Sequence, residues 1–148
     1  MRASAIASIL DPSRSSRNAE VWQTVERIRN ECDIEAKGVL HFSWHVAEEY
    51  EVDNAKSVLQ EIASELEGIE IASSGLGFFT GDRPVLYLPV VKTQLMAELH
   101  GNIWRALKPF ARGISMLYSP EQWMPHITLV YEESHPELVF LTARRLAS

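Results

Sequence analysis

The sequence contains only one cysteine, Cys32, among its 148 residues, and it contains no long apolar run. A single cysteine cannot form an intramolecular disulfide, so stability must come from the core, which at this length can bury roughly 68 to 70% of the unfolded surface. No stretch approaches the ~18 apolar residues of a membrane span, and the first residues offer too short an apolar stretch for a secretory signal. We therefore expect a cytoplasmic protein that is not embedded in a membrane.

Positive charge is also scarce, because 14 Lys and Arg residues face 20 Asp and Glu residues, which gives a formal net charge of −6. Proteins that coat long nucleic acids neutralise many phosphates, so this balance argues against that class but allows a pocket for one phosphate. The patterns GxGxxG, GxxxxGKS, GxSxG and CxxC are absent as well. Dinucleotide binding, P-loop chemistry, serine hydrolysis and thiol redox chemistry therefore have no support.

The periodicity of apolar residues predicts alternating strands and helices. Strands are predicted at residues 5–10, 39–48, 69–72, 75–80, 84–91 and 126–131. Helices are predicted at residues 19–30, 53–68, 93–107 and 136–146. Asp53 and Thr93 are the predicted N-caps of the second and third helices, and residues 111–125 are predicted to be irregular. The order indicates an α+β fold with two roughly parallel halves, and we expect one domain over residues 1–148.

Two of the predicted strands begin with the same order of residue types: histidine, apolar, hydroxyl, apolar. The first is HFSW at residues 41–44, and the second is HITL at residues 126–129. Residues two apart on a strand share a face and lie roughly 6.5 to 7 Å apart, so a histidine and a hydroxyl at this spacing can reach one small anion. One such triplet is common by chance, whereas two copies in different halves of a chain with five histidines indicate a site.

Histidines suit acid-base chemistry on a phosphodiester. An imidazole has an unperturbed pKa near 6.5, so one ring can accept a proton while another donates one at neutral pH. In-line cleavage needs a base at the attacking oxygen and an acid at the leaving oxygen, on opposite sides of the phosphorus. Two histidines that face each other would match this geometry, and the two hydroxyls would hold the non-bridging oxygens.

The segments His41-Phe42-Ser43-Trp44 and His126-Ile127-Thr128-Leu129 resemble the signatures of the two-histidine (2H) phosphoesterase superfamily. The longer stretch WMPHITL at residues 123–129 is especially similar to its second motif. This superfamily includes 2'-5' RNA ligase-like proteins and 2',3'-cyclic nucleotide phosphodiesterases. The resemblance implies a bilobal α+β fold, with antiparallel sheets and flanking helices around a central cleft and one motif in each lobe.

The resemblance also implies an enzyme that hydrolyses, or reversibly ligates, 2',5' or 2',3'-cyclic phosphodiesters of RNA ends or small nucleotides. His41 and His126 would be the general acid and base, in an order that the sequence leaves open. Ser43 and Thr128 would bind the substrate phosphate. The implied mechanism needs no metal and no other cofactor.

Two departures from the superfamily pattern affect these expectations. Ser43 stands where threonine is commoner, which keeps the hydroxyl and loses a methyl group. In relatives, further strands follow the helix after the second motif, so we expect this chain to lack C-terminal strands. An uncovered sheet edge would then favour pairing with a second chain, although the sequence does not determine the oligomeric state.

The two motifs also allow functions other than catalysis, and several residues outside them allow more than one placement. The cleft could bind a nucleotide or phosphate without catalysis, and His41 with His45 forms an HxxxH that could contribute to a metal site. The favoured interpretations place His45 as a cleft-lining or half-exposed neighbour, and His100 and His135 on the surface. Alternation favours core packing for four apolar residues of the motifs, Phe42, Trp44, Ile127 and Leu129. Hairpin packing is favoured over base or phosphate contacts for Phe78, Phe79, Arg83 and Tyr87.

Overall fold

The computed structural model describes residues 3–10, 19, 23, 26–27, 30, 39–73, 75–82, 84–131 and 136–146. The chain forms two compact units, of which the first comprises residues 1–8, 43–72 and 90–125 and the second comprises residues 9–42, 73–89 and 126–148. Each unit contributes a three-stranded sheet with helices, so the predicted α+β fold is confirmed. Two boundaries between the units fall within strands, one between Ser8 and Ile9 and one between Phe42 and Ser43.

The sheet of the first unit contains the strands β1 (Ser4–Ile9), β2 (His41–Tyr50) and β5 (Ala111–Ile114). Their order in the sheet is β1-β2-β5, so β2 lies at the centre. Two helices belong to this unit, α1 (Val52–Ser64) and α2 (Gln94–Leu107), and they contact each other. The predicted N-cap of α2 is confirmed, because the Thr93 hydroxyl accepts a hydrogen bond from the Met96 amide at 3.2 Å.

The sheet of the second unit has the order β3-β4-β6, and its neighbouring strands run antiparallel. Its strands are β3 (Gly77–Phe79), β4 (Val85–Pro89) and β6 (His126–Tyr131). Helix α3 (Pro136–Leu146) packs on β4 and β6 through residues that include Val139, which is fully buried. This helix has the bounds that the sequence predicts.

Three local predictions are wrong. Helix α1 is capped by Glu51 without a side-chain hydrogen bond and ends at Ser64, so Asp53 lies in its first turn and is not the cap. Residues 69–72 do not form a strand. Conversely, β5 lies within the stretch predicted to be irregular, because pairing of Ile114 with Ala47 of β2 gives these residues a strand conformation that their own sequence does not favour.

Predictions at residues 19–30 and at Cys32 fall largely outside the described residues. Those that are described, at positions 19, 23, 26, 27 and 30, are helical, as predicted. In the described part of the chain, no helix combines the length and the apolarity needed to cross a membrane.

Strand β6 contains a β-bulge at the last residue of the second motif. Leu86 of β4 pairs with Val130, whereas the next residue, Tyr87, pairs with Thr128, so Leu129 is an extra residue on β6. An extra residue shifts the alternation of the strand, and Leu129 and Val130 are both buried with 1% exposure. The predicted alternation therefore holds from His126 to Leu129 and fails at Val130.

Strand β2 also has two consecutive buried residues at the equivalent position. Phe42 and Trp44 are buried, as alternation along the strand predicts, but the next residue, His45, is buried as well, with 0% exposure. Both Trp44 and His45 contact helix α2, through His100 and Trp104 respectively. The prediction that His45 lines a cleft or lies half-exposed is therefore wrong, because this side chain is buried against the helix.

Burial changes the acid-base properties of His45. Its Nδ1 lies 2.6 Å from the Tyr50 hydroxyl, and among the described residues its Nε2 has no hydrogen-bond partner. Burial, together with the nearby His100, lowers the pKa of His45 to about 4, and burial raises the pKa of Tyr50 to about 12. At neutral pH the hydroxyl thus keeps its proton and donates it to the neutral imidazole.

Stability should therefore depend on pH through His45. The unfolded residue binds a proton below pH 6.5, whereas the folded one does so only below about 4, so stability is lost as pH falls between these values. We expect a loss of roughly 2 to 3 kcal/mol in the free energy of unfolding from this residue. Urea denaturation of the wild type and His45→Gln at pH 7, 5.5 and 4.5 measures it. Equal pH slopes in the two proteins would contradict this assignment.

Tight packing of β3 against β4 gives a second prediction. A Cβ atom built on Gly77 would overlap the ring of Tyr87, whereas one on Gly101 in α2 would meet only Arg105, at 3.6 Å. We expect Gly77→Ala to lower the free energy of unfolding by about 1 to 3 kcal/mol through overpacking. The control Gly101→Ala should be neutral or stabilising by up to about 1 kcal/mol, since alanine favours helix. Urea denaturation at pH 7 distinguishes the two, and equal effects would contradict the packing argument.

Candidate functional site

His41 begins strand β2 and is exposed. Its Nδ1 lies 2.9 Å from the carbonyl oxygen of Val39. A carbonyl only accepts, so Nδ1 must carry the proton, and in the neutral ring Nε2 then carries the lone pair. The backbone thus selects the tautomer in which Nε2 can accept a proton.

His126 begins strand β6, where it pairs with Pro89 of β4. Its half-buried ring meets Phe79 edge-on, with centroids 4.8 Å apart, and Tyr87 at 5.3 Å. Phe79 and Tyr87 also stack on each other at 4.3 Å. The hairpin packing predicted for these two aromatics is confirmed, and the structure adds that together they restrict the orientation of the histidine ring.

Thr128 lies two residues after His126 and is half-buried like it, whereas the intervening Ile127 is buried. The bulge follows Thr128 directly, so it leaves the shared face of His126 and Thr128 intact. The core packing predicted for the apolar motif residues is confirmed, because each of them is at most 5% exposed: Phe42, Trp44, Ile127 and Leu129. Phe78 packs against Phe140 with ring centroids 5.3 Å apart, and Arg83 lies outside the described residues.

Ser43 of the first motif is half-buried, and two other side chains interact with it. Its carbonyl oxygen accepts a hydrogen bond from the indole Nε1 of Trp123 at 3.0 Å. Its side chain interacts with the Tyr118 hydroxyl: burial raises the pKa of Tyr118, and the hydrogen bond with Ser43 partly offsets that increase. Ser43 is thus held both through its main chain and at its hydroxyl.

Trp123 belongs to a stack of three buried rings. It lies parallel to His100, with centroids 3.9 Å apart and planes 3° apart, and it also stacks on Trp44 at 5.2 Å. Nε2 of His100 donates to the carbonyl of Trp44 at 3.0 Å, and burial lowers the pKa of His100. The structure therefore brings an indole and an imidazole to two successive carbonyls of the first motif.

The prediction that His100 lies on the surface is wrong, since only 1% of it is exposed. Helical spacing contains the signal: His100 lies four residues after Met96 and three before Ile103, on the apolar stripe of α2. The polarity of histidine predicts an exposed side chain here, whereas its position on the helix explains the burial. His135, the other histidine predicted to be at the surface, lies outside the described residues.

The segment that leads into the second motif is held at several points. Lys92 donates from Nζ to the Trp123 carbonyl at 3.1 Å, and the Trp123 amide donates to the Ser119 carbonyl at 2.8 Å. Trp123 lies three residues before His126, and its indole partner Ser43 lies two residues after His41. One hydrogen bond thus connects the strand of the first motif to the segment that precedes the second.

The alternative metal site with His41 and His45 gains no further ligands. In the part of the chain that the structure describes, no group of three or more His, Cys, Asp or Glu residues could hold an ion. Four residues along a strand span roughly 13 Å, which is too far for both rings to bind one ion. The described side chains instead offer imidazoles and hydroxyls, groups that transfer protons and hold anions.

No curated protein matches the chain. A family model described as the 2'-5' RNA ligase superfamily matches residues 18–147, a range that includes both motifs. The two three-stranded sheets, one in each unit, are consistent with the two-lobe fold of the 2H phosphoesterases. Since the match extends over most of its length, the chain belongs to the 2'-5' RNA ligase superfamily, within the 2H phosphoesterases.

Proposed function

We propose that the protein is a metal-independent phosphoesterase that acts on 2',5' or 2',3'-cyclic phosphodiesters of RNA ends or small nucleotides. The observation that carries this proposal is that two strands of a superfamily member present the same pattern of side chains. In β2 and in β6 a histidine and a hydroxyl stay at least partly accessible, while the apolar residue between them is buried. The single cysteine, Cys32, supports a reducing compartment such as the cytoplasm.

In the proposed hydrolysis, the imidazoles of His41 and His126 act on opposite sides of one phosphorus. One imidazole takes a proton from water as its oxygen attacks the phosphorus, and the other donates a proton to the ribose oxygen whose bond to phosphorus breaks. Ligation follows the same scheme with a ribose hydroxyl in place of water: one imidazole takes the proton of the attacking hydroxyl, and the other protonates the ribose oxygen of the cyclic phosphodiester whose bond to phosphorus breaks. The tautomer of His41, with its lone pair on Nε2, supports a role as the base in one of these reactions.

The hydroxyls of Ser43 and Thr128 hold the phosphate in the proposed complex. Each donates to a non-bridging oxygen, which carries charge in the ground state and in the transition state. Hydrogen bonds to charged groups contribute about 1.5 to 3 kcal/mol, so each hydroxyl is worth less than either histidine.

Replacement of either histidine should nearly abolish turnover. We expect His41→Gln and His126→Gln each to lower kcat for 2',3'-cyclic nucleotides by about a hundredfold to ten-thousandfold, because each removes a proton carrier. Turnover is measured by product chromatography with EDTA present. A variant that retains wild-type turnover would refute its assigned role, and binding of the nucleotide by a wild type that makes no product would favour a non-catalytic binding module.

Removal of the hydroxyls should have smaller effects. We expect Ser43→Ala and Thr128→Val each to lower kcat/KM by roughly tenfold to a hundredfold, which corresponds to one hydrogen bond to a charged oxygen. The matched controls Ser43→Thr and Thr128→Ser keep the hydroxyl and should stay within about threefold of wild type. Equal losses in the controls and in the hydroxyl-free variants would show that side-chain shape, and not the hydroxyl, matters at these positions.

A further inference from the structure

We propose that Trp123 is a positioning residue that holds Ser43 in the orientation needed to bind the substrate phosphate. This inference rests on the proposed function, because it assigns Ser43 the role of phosphate ligand. Trp123 would act through its indole N–H, which donates to the Ser43 carbonyl at 3.0 Å, and not by touching substrate.

Hydrogen bonds from β5 hold only part of β2. The register of β2 with β5 begins at Ala47, and the Ser115 amide extends the pairing to the carbonyl of Val46 at 2.9 Å. Ser43 lies beyond this ladder toward the start of β2. There the indole of Trp123 supplies a hydrogen bond of the kind that a neighbouring strand would otherwise make.

Trp123 is held in place through both its ring and its main chain. Only 2% of Trp123 is exposed, and its ring stacks on His100, which in turn donates a hydrogen bond to the Trp44 carbonyl. Its main-chain carbonyl accepts from Lys92, and its amide donates to Ser119. A donor fixed at so many points can fix its acceptor, so the stack holds the main chain from which the Ser43 side chain projects.

A second tryptophan in the stack allows positioning to be distinguished from ordinary core packing, which explains most buried tryptophans. Trp44 lies in the same stack, and its indole donates to the Ser8 hydroxyl at 2.8 Å. The two indoles are alike in burial and in having one acceptor each. They differ in their acceptors: Trp123 donates to the main chain of the motif residue Ser43, whereas Trp44 donates to a side chain on β1. Removal of the Trp44 hydrogen bond is therefore a control for removal of the Trp123 hydrogen bond.

The experiment compares Trp123→Phe with Ser8→Ala. Phenylalanine keeps a ring in the stack but removes the donor to Ser43, while Ser8→Ala removes the acceptor of the other indole. We expect Trp123→Phe to raise KM for a 2',3'-cyclic nucleotide by about fivefold with little change in kcat, since the phosphate contact is present in ground and transition states. Ser8→Ala should leave KM within about twofold. Equal increases in KM in the two variants would overturn the proposal.

A double-mutant cycle tests whether Trp123 acts through Ser43. In the Ser43→Ala background, Trp123→Phe should change KM less than about twofold, because the positioned hydroxyl is gone. A fivefold effect that persists in that background would overturn the proposal. If Ser43→Ala itself has no effect, the assignment of Ser43 as phosphate ligand fails, and the positioning role fails with it. If the protein binds without turnover, the dissociation constant of a nucleoside 2'-monophosphate replaces KM.

Lys92→Met provides a second variant if Trp123→Phe does not fold. Lys92 is exposed and anchors the Trp123 carbonyl, so its replacement should leave the fold intact and loosen the stack. We expect KM to rise about twofold in the wild-type background and not in the Ser43→Ala background. An increase of the same size in both backgrounds would show that the lysine acts by its charge, which would contradict the positioning role.

Discussion

The hydrogen bond from the Trp123 indole to the Ser43 carbonyl, 3.0 Å long, connects two segments that are 80 residues apart in the chain. It lies within a stack of buried rings in which His100 donates to the neighbouring carbonyl of Trp44. Buried donors without acceptors are costly, so each ring requires its carbonyl to stay in place. The geometry of the first motif and the approach to the second therefore depend on one another.

Each motif strand has two consecutive buried residues at the end of its motif. In β6 an extra residue, Leu129, shifts the alternation after Thr128, and in β2 the consecutive residues Trp44 and His45 are both buried. A bulge such as the one in β6 commonly re-aims side chains next to functional sites. In both strands the histidine and hydroxyl of the motif stay at least partly accessible, while His45 and Val130 are buried in the core.

The sequence predicts the parts of this molecule that depend on local pattern. Both motif strands, the Thr93 cap and the bounds of α3 follow from alternation, capping chemistry and helical spacing. The failures arise where distant contacts decide. Strand β5 forms because β2 pairs with it, and His45 and His100 are buried because α2 packs on β2. No local signal links Trp123 to Ser43, since their contact depends on tertiary structure alone.

The central claim of the proposed function is that His41 and His126 act on the same phosphate. The most direct measurement is a crystal structure of the wild type with a nucleoside 2'-monophosphate bound. The account predicts that both imidazoles lie within hydrogen-bond distance of oxygens on one phosphorus, with the hydroxyls of Ser43 and Thr128 on its non-bridging oxygens. A phosphate bound elsewhere, or contacted by only one of the two imidazoles, would contradict it.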